Sequence, residues 1–209
     1  MKFVRRNLTV LIAFSAIASA CKRDTPADDQ QMHIQDVVAA GGVVDSILPI
    51  PVQLDRFQAA MSEKPDTLRH ASPSINALIM RLSIAIAAND TAALNAMMLD
   101  RAEFAWLYYP SSKMSLPPYE APPQLLWGQI LASSNDGAQN LLKKFGSAAF
   151  KVTGVNCPKP PVAEGGNLLH EGCLLKVQTP GAVQGEAAYF GTIIERDKRF
   201  KFVSYASRL

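Results

Sequence analysis

Among the 209 residues, one carboxylate stands in company that could change its chemistry. Glu103 opens the run EFAWLYY, so Phe104, Trp106, Tyr108 and Tyr109 follow it closely, with Trp127 farther along the chain. A carboxyl group in an apolar pocket has its charged form disfavoured, which raises its pKa and equips it to shuttle a proton. The same residue fits a plainer role. Asp100 and Glu103 have the D-x-x-E spacing of a helix capping box, and the aromatic side chains would then be core. The three histidines are scattered: His33 and His70 in the first half, His170 between two late cysteines. Each stands in a polar segment and reads as exposed. No G-x-S-x-G elbow, Walker loop, GxGxxG, HExxH, CxxC or HxxxH is present, and Gly165-Gly166 reads as loop flexibility. No catalytic residue, cofactor or metal is therefore assigned, and binding or a structural role is expected over catalysis.

The cysteines carry a second kind of chemistry. Residues 1–20 hold Lys2, Arg5 and Arg6 but no acid, then an apolar run at 8–17 (LTVLIAFSAI) too short to span a membrane. Small residues follow at Ala18-Ser19-Ala20, directly before Cys21. This order is that of a signal peptide, and Ala-Ser-Ala-Cys resembles the bacterial lipobox, with Ala18 where Leu is usual. That resemblance implies cleavage after Ala20 and a diacylglyceryl group on Cys21, hence a membrane partner through a lipid anchor. Ordinary cleavage would instead leave Cys21 a free thiol. Lys22, in place of the Asp that retains such proteins at the inner membrane, points to the outer membrane, facing the periplasm of the cell envelope. The surroundings of Arg5-Arg6 match the twin-arginine motif poorly. Residues 21–31 read as a polar, flexible tether.

Cys157 and Cys173 remain as an even pair in an exported chain, which argues for a disulfide. A metal site is the alternative, but His170 alone cannot complete one. Charge excludes another class of partner. Outside residues 1–20 the basic residues equal the 18 acidic ones, so no nucleic-acid partner is expected.

The elements that must position these residues divide into an N-terminal arm at 32–72 and an α+β domain at 73–209. In the arm, Pro49 and Pro51 interrupt the apolar run at 47–52, and a short helix is expected at 54–61. Ser72-Pro73 reads as a helix start, with Ile75, Leu78, Ile79, Leu82 and Ile86 at helical spacing. Asp90 should cap a second helix over 91–99, with Leu94, Met97 and Met98 inward. Residues 103–109 are aromatic enough for a strand but lack β-branched side chains, so helix is expected. Residues 110–123 contain five of the 14 prolines and must form a loop. Two short helices are expected at 125–132 and 138–145, the latter capped near Asn135-Asp136.

Beyond Gly146 the period changes to two. Val152, Leu175 and Val177 alternate with polar residues, Thr179-Pro180-Gly181 suits a turn, 187–195 suits a central strand, and 200–205 its hairpin partner. Helices first and strands afterwards predict N-terminal helices packed on a C-terminal antiparallel sheet of about four strands.

Residues 84–99 (IAIAANDTAALNAMML), with the aromatic strand at 200–205 (FKFVSY), resemble the nuclear-transport-factor-two-like, or SnoaL-like, cone fold. The resemblance implies a cone-like sheet curved around a pocket, for which Glu103, Trp106, Tyr108, Tyr109 and Trp127 are the candidate lining. The chain departs from that pattern in its Pro-rich loop and in the helix expected where the family has a strand. No activity is implied, because the superfamily holds isomerases, dehydratases and non-catalytic binding domains. The expectation is an envelope lipoprotein whose non-catalytic domain binds a small apolar ligand or an envelope protein. The alternative is a cone-fold enzyme of isomerase or dehydratase type, using acid/base chemistry.

Overall fold

The computed structural model describes residues 48–146, 151–178 and 185–205, together with 32, 35–37 and 39–41. The chain divides into two compact units, Met1–Ile47 and Leu48–Leu209. In the first, residues 35–37 and 39 are helical, and the amide of Ala40 donates to the carbonyl of Asp36 at 3.0 Å. The signal segment, Cys21, the tether and the turn at 179–181 lie outside the described residues.

In the second unit, helix α1 (Ile50–Ala59) begins earlier than the sequence suggests. Pro51 falls in its first turn, where a missing N–H leaves no hydrogen bond unmade, so it starts the helix instead of breaking it. Helix α2 (Ile75–Ala87) buries Leu78, Ile79, Leu82, Ala85 and Ile86 along one stripe. Its cap is Ser74, whose hydroxyl accepts from the Ala77 amide at 3.1 Å. Ser72, the expected start, instead exchanges backbone hydrogen bonds with Phe200. Asp90 caps α3 (Thr91–Ala96) through the Ala93 amide at 2.9 Å. That helix stops short of residue 99 because the chain turns to a neighbouring strand. The Leu99 amide donates to the Phe202 carbonyl and the Phe202 amide to the Met97 carbonyl, both at 2.9 Å.

Residues 101–115 are a chain of short helical turns, α4 (Arg101–Glu103) running into a π turn over Phe104–Tyr108 and two 3₁₀ turns. The helical expectation for 103–109 holds. Helix α5 (Pro123–Phe145) is continuous where two short helices were expected. The polar string from Ser133 to Asp136 hides an unbroken inner stripe of Leu126, Ile130, Ser134, Gly137, Leu141 and Phe145. Ser134 satisfies its own hydroxyl by donating to the Ile130 carbonyl at 2.6 Å.

The α+β class and the antiparallel pairing hold. Strands β2 (Val162–Glu164), β3 (Asn167–Glu171), β6 (Thr192–Arg196) and β7 (Arg199–Phe202) form a four-stranded sheet in the order β2-β3-β6-β7. A second sheet, β1-β4-β5, joins β1 (Lys151–Asn156), β4 (Leu174–Gln178) and β5 (Gly185–Ala187). Cys157 and Cys173 are disulfide-bonded just beyond the Asn156↔Leu174 pair, where the β1–β4 ladder ends. The segment between them is no simple loop, because it contains the β2–β3 hairpin of the other sheet. Gly165 makes that turn at φ +61, and a Cβ there would lie 2.5 Å from the Ser111 Cβ. The apolar run at 187–195 likewise breaks at residue 188, where the chain steps from one sheet to the other.

Neighbouring residues of β6 and β7 point to opposite faces, so the four-stranded sheet separates two cores. Ile193 and Phe202 join α2, α3, β4 and the end of α5. Ile194 and Val203 join Phe57, Leu68, Phe104, Tyr109 and the start of α5.

Candidate functional site

Strand alternation that turns Phe200 and Phe202 to the first core turns Lys201 to the second, beside its cross-strand neighbour Ile194. An ammonium buried there needs a counterion, and Glu103 supplies it. Lys201 Nζ lies 2.7 Å from Glu103 Oε2, with the two side chains 2% and 0% exposed. Glu103 is placed by the capping box anticipated from its spacing. The Asp100 amide donates to Glu103 Oε2 and the Glu103 amide to Asp100 Oδ1, each at 2.8 Å. The backbone amide of Arg69 donates to Glu103 Oε1.

Both carboxylate oxygens are thus engaged, by three donors from three separate segments. Around them, Arg69 donates to Asp100 Oδ2 from Nη2 at 2.6 Å and from Nε at 3.1 Å, and reaches Glu63 at 2.8 Å. The hydrogen bond to Asp100 holds the Arg69 guanidinium above its ordinary pKa. Desolvation makes such an assembly costly to leave half-built: removing one partner of a buried pair costs ~3–5 kcal/mol. A proton shuttle must touch its substrate, whereas this carboxylate is sealed beneath Lys201 and the turn that carries it.

Three of the aromatic candidates, Tyr108, Tyr109 and Trp127, surround Phe104, a residue the sequence reading passed over as a centre. Its ring centroid lies 5.3 Å from Trp127, 5.5 Å from Tyr109, 5.8 Å from Phe57 and 5.9 Å from Tyr108. Tyr109 is buried and its hydroxyl donates to the Ala121 carbonyl at 2.6 Å. Tyr108 is half-buried, and burial pushes its pKa up, with Glu164 and Glu171 adding to the rise and the Ser112 hydrogen bond opposing it. Trp106 is half-buried, with the Lys64 ammonium 4.6 Å from its ring centroid.

A second polar group pins the β2–β3 hairpin to this segment. Asn167 donates to the Leu107 carbonyl at 2.7 Å, Arg196 donates to Asn167 Oδ1 at 3.2 Å, and Ser111 donates to the Glu164 carbonyl at 3.1 Å. His170 is not the exposed residue its neighbours suggest. On β3 it pairs with Glu195 across the sheet at 2.8 Å, its side chain only 12% exposed.

Among the described residues, grooves on the surface of this unit include the following three. One of about 470 Å³ lies between α2 and β1, against Met80, Val152 and Gly154. Another of about 590 Å³ follows the outer face of α5 along Leu125, Gly128 and Ala132. A third of about 310 Å³ lies between α1, α4 and the start of α5, with Gln53, Arg56, Phe57, Arg101 and Gln124 around it. Glu103, Trp106, Tyr108, Tyr109 and Trp127 line none of these three. Among the described residues no three His, Cys, Asp or Glu side chains gather as a metal site, and no helix is long and apolar enough to cross a membrane.

The sequence missed Lys201 and Arg69, the partners of Glu103. The signal for Lys201 was present: in FKFVSY it shares a strand face with Val203, and the opposite face is aromatic, so both faces read as buried. No family model, curated protein or solved structure matches the chain.

Proposed function

We propose that this chain is a lipid-anchored envelope protein whose body is a rigid, non-catalytic binding domain for a small apolar ligand or an envelope protein. The carrying observation is the state of Glu103. The acid/base alternative drawn from the cone-fold resemblance needs that carboxylate at a substrate. Its burial, its ion pair with Lys201 and its three hydrogen bonds support a role as an internal strut. The Cys157–Cys173 disulfide fits an oxidising compartment, which the signal-like residues 1–20 would reach. Apolar side chains available to a partner stand at Leu125 and Leu131 on α5 and at Met80 and Ile84 on α2.

Detergent phase partitioning of the wild-type chain and Cys21→Ser, each expressed in a bacterium, tests the anchor. The wild type should enter the detergent phase and the variant the aqueous one, because two or more acyl chains hold a protein stably at a membrane. Identical partitioning of the two would remove the lipid anchor from this reading.

A further inference from the structure

The smallest of the three grooves differs from the others in its charge. Arg56 projects from α1 and Arg101 from the first turn of α4, and both border the same space of about 310 Å³. Among the described residues neither has a carboxylate partner; Arg101 makes one long contact with the Gln124 side chain, 3.4 Å, and lies 4.7 Å over the Phe57 ring. Both arginines are exposed, whereas the less exposed cations Lys201 and Arg69 are matched, the first by Glu103 and the second by Asp100 and Glu63. Two guanidinium forks left unpaired around one concavity are suited to an anion that accepts bidentate hydrogen bonds, a carboxylate or a phosphate. The side-chain amide of Gln124 adds a neutral donor, that of Gln53 being given to the Leu48 carbonyl, while Phe57, Leu48 and Ala60 provide an apolar floor.

Volume and lining narrow the class. A space at the lower end of the ligand-pocket range takes a small molecule or a headgroup, not a protein segment. Two cations favour a doubly charged group over a single carboxylate. We propose that this groove binds an organic phosphate ester, with the phosphoryl group between Arg56 and Arg101 and the ester's apolar part against Phe57 and Leu48. This rests on the binding-domain reading above and gives that domain an anionic ligand with an apolar part in place of a wholly apolar one. A phospholipid headgroup and a free metabolite both present such an ester, and the chemistry of recognition is common to the two.

Two probes separate these sources, both with the full chain carrying Cys21→Ser so that acylation plays no part. Phenyl phosphate titrated by calorimetry represents the free ester. Phosphatidylcholine vesicles with and without phosphatidic acid represent the headgroup. At least one probe should bind, with an affinity that falls as salt rises, and Arg56→Gln/Arg101→Gln should weaken it by about tenfold per guanidinium removed. Phenyl phosphate binding assigns the free ester; a response confined to phosphatidic-acid vesicles assigns the headgroup. Both arginines are exposed, so the double variant should melt with the wild type, and an unchanged melting temperature certifies that any loss is at the site. No binding of either probe, or equal binding by the wild type and the double variant, overturns the proposal. That failure is distinct from failure of the anchor, which Cys21→Ser partitioning reads by itself.

Discussion

On one face of the four-stranded sheet, Ile193 and Phe202 meet Leu78, Leu82, Ile86, Leu94 and Leu175, and the disulfide closes the edge of that core at Cys173. On the other face, Ile194, Leu169 and Val203 meet Phe104, Leu107 and Tyr109, with an ion pair set among them. The first core is apolar and covalently stapled, and each of its contacts can be weakened separately. The second holds an ammonium and a carboxylate that are tolerable only together. A disulfide acts mainly on the unfolded chain, whereas a buried ion pair acts on the folded state and fixes which segments must meet. Lys201 can be satisfied only if the turn at 100–103 and the backbone of Arg69 arrive in register.

Breaking the second core should therefore cost the most. Lys201→Met leaves Glu103 buried without its counterion and is expected to destabilise by ~3–5 kcal/mol in urea denaturation. In the first core, Cys157→Ser/Cys173→Ser should cost about 3 kcal/mol by loop-closure entropy, an effect a reductant should reproduce in the wild type and not in the variant. Asp90→Ala, which removes the cap of α3, should cost ~1 kcal/mol by the same measurement. Tyr205→Phe removes the hydroxyl that donates to the Leu94 carbonyl at 2.8 Å and should cost about 1 kcal/mol.

The tyrosines also sharpen the comparison through pH. Burial pushes up the pKa of Tyr108 and Tyr109 in and beside the second core, and of Tyr189 and Tyr205 in the first. A folded-state pKa above the unfolded one gives stability that is complete below the unfolded value and is lost as pH rises past it. For these groups the unfolded value is 10.0. Melting temperature should thus hold up to about pH 10 and fall beyond it. Tyr205 has the largest shift of the four, so Tyr205→Phe should flatten that alkaline fall. A fall of unchanged steepness in the variant would place the loss elsewhere.

What was legible in the sequence was what depends on neighbours along the chain. The stripe from Ile75 to Ile86, the Asp90 cap, the Asp100–Glu103 box and the even cysteine pair each rest on local spacing. Three features were hidden for definite reasons. Ser133–Asp136 masks the inner face of α5 because Asn135 and Asp136 are exposed and Ser134, which stands on the inner stripe, is itself polar. The β2–β3 hairpin, with strands as short as Val162–Glu164, shows too few alternations to stand out from its glycines and prolines. The pairing of Lys201 with Glu103 spans most of the domain, and no local pattern records a contact between a helical turn and a strand so far apart. The same distance explains Glu103 itself: its aromatic neighbours were visible, but its counterion was not, so a proton shuttle and a strut read alike.

The most direct test of that assignment is a double-mutant cycle of Glu103→Gln and Lys201→Met by urea denaturation. Glutamine keeps the length of the side chain and one acceptor oxygen while removing the charge. The acceptor lost to the Arg69 amide is lost equally in the single and the double variant, so it cancels in the cycle. Each single change should cost ~3–5 kcal/mol, and the double variant should recover at least about 2 kcal/mol of the summed loss, because neither charge is then left alone. Strictly additive losses would contradict the strut and return Glu103 to the role of a carboxylate held for chemistry.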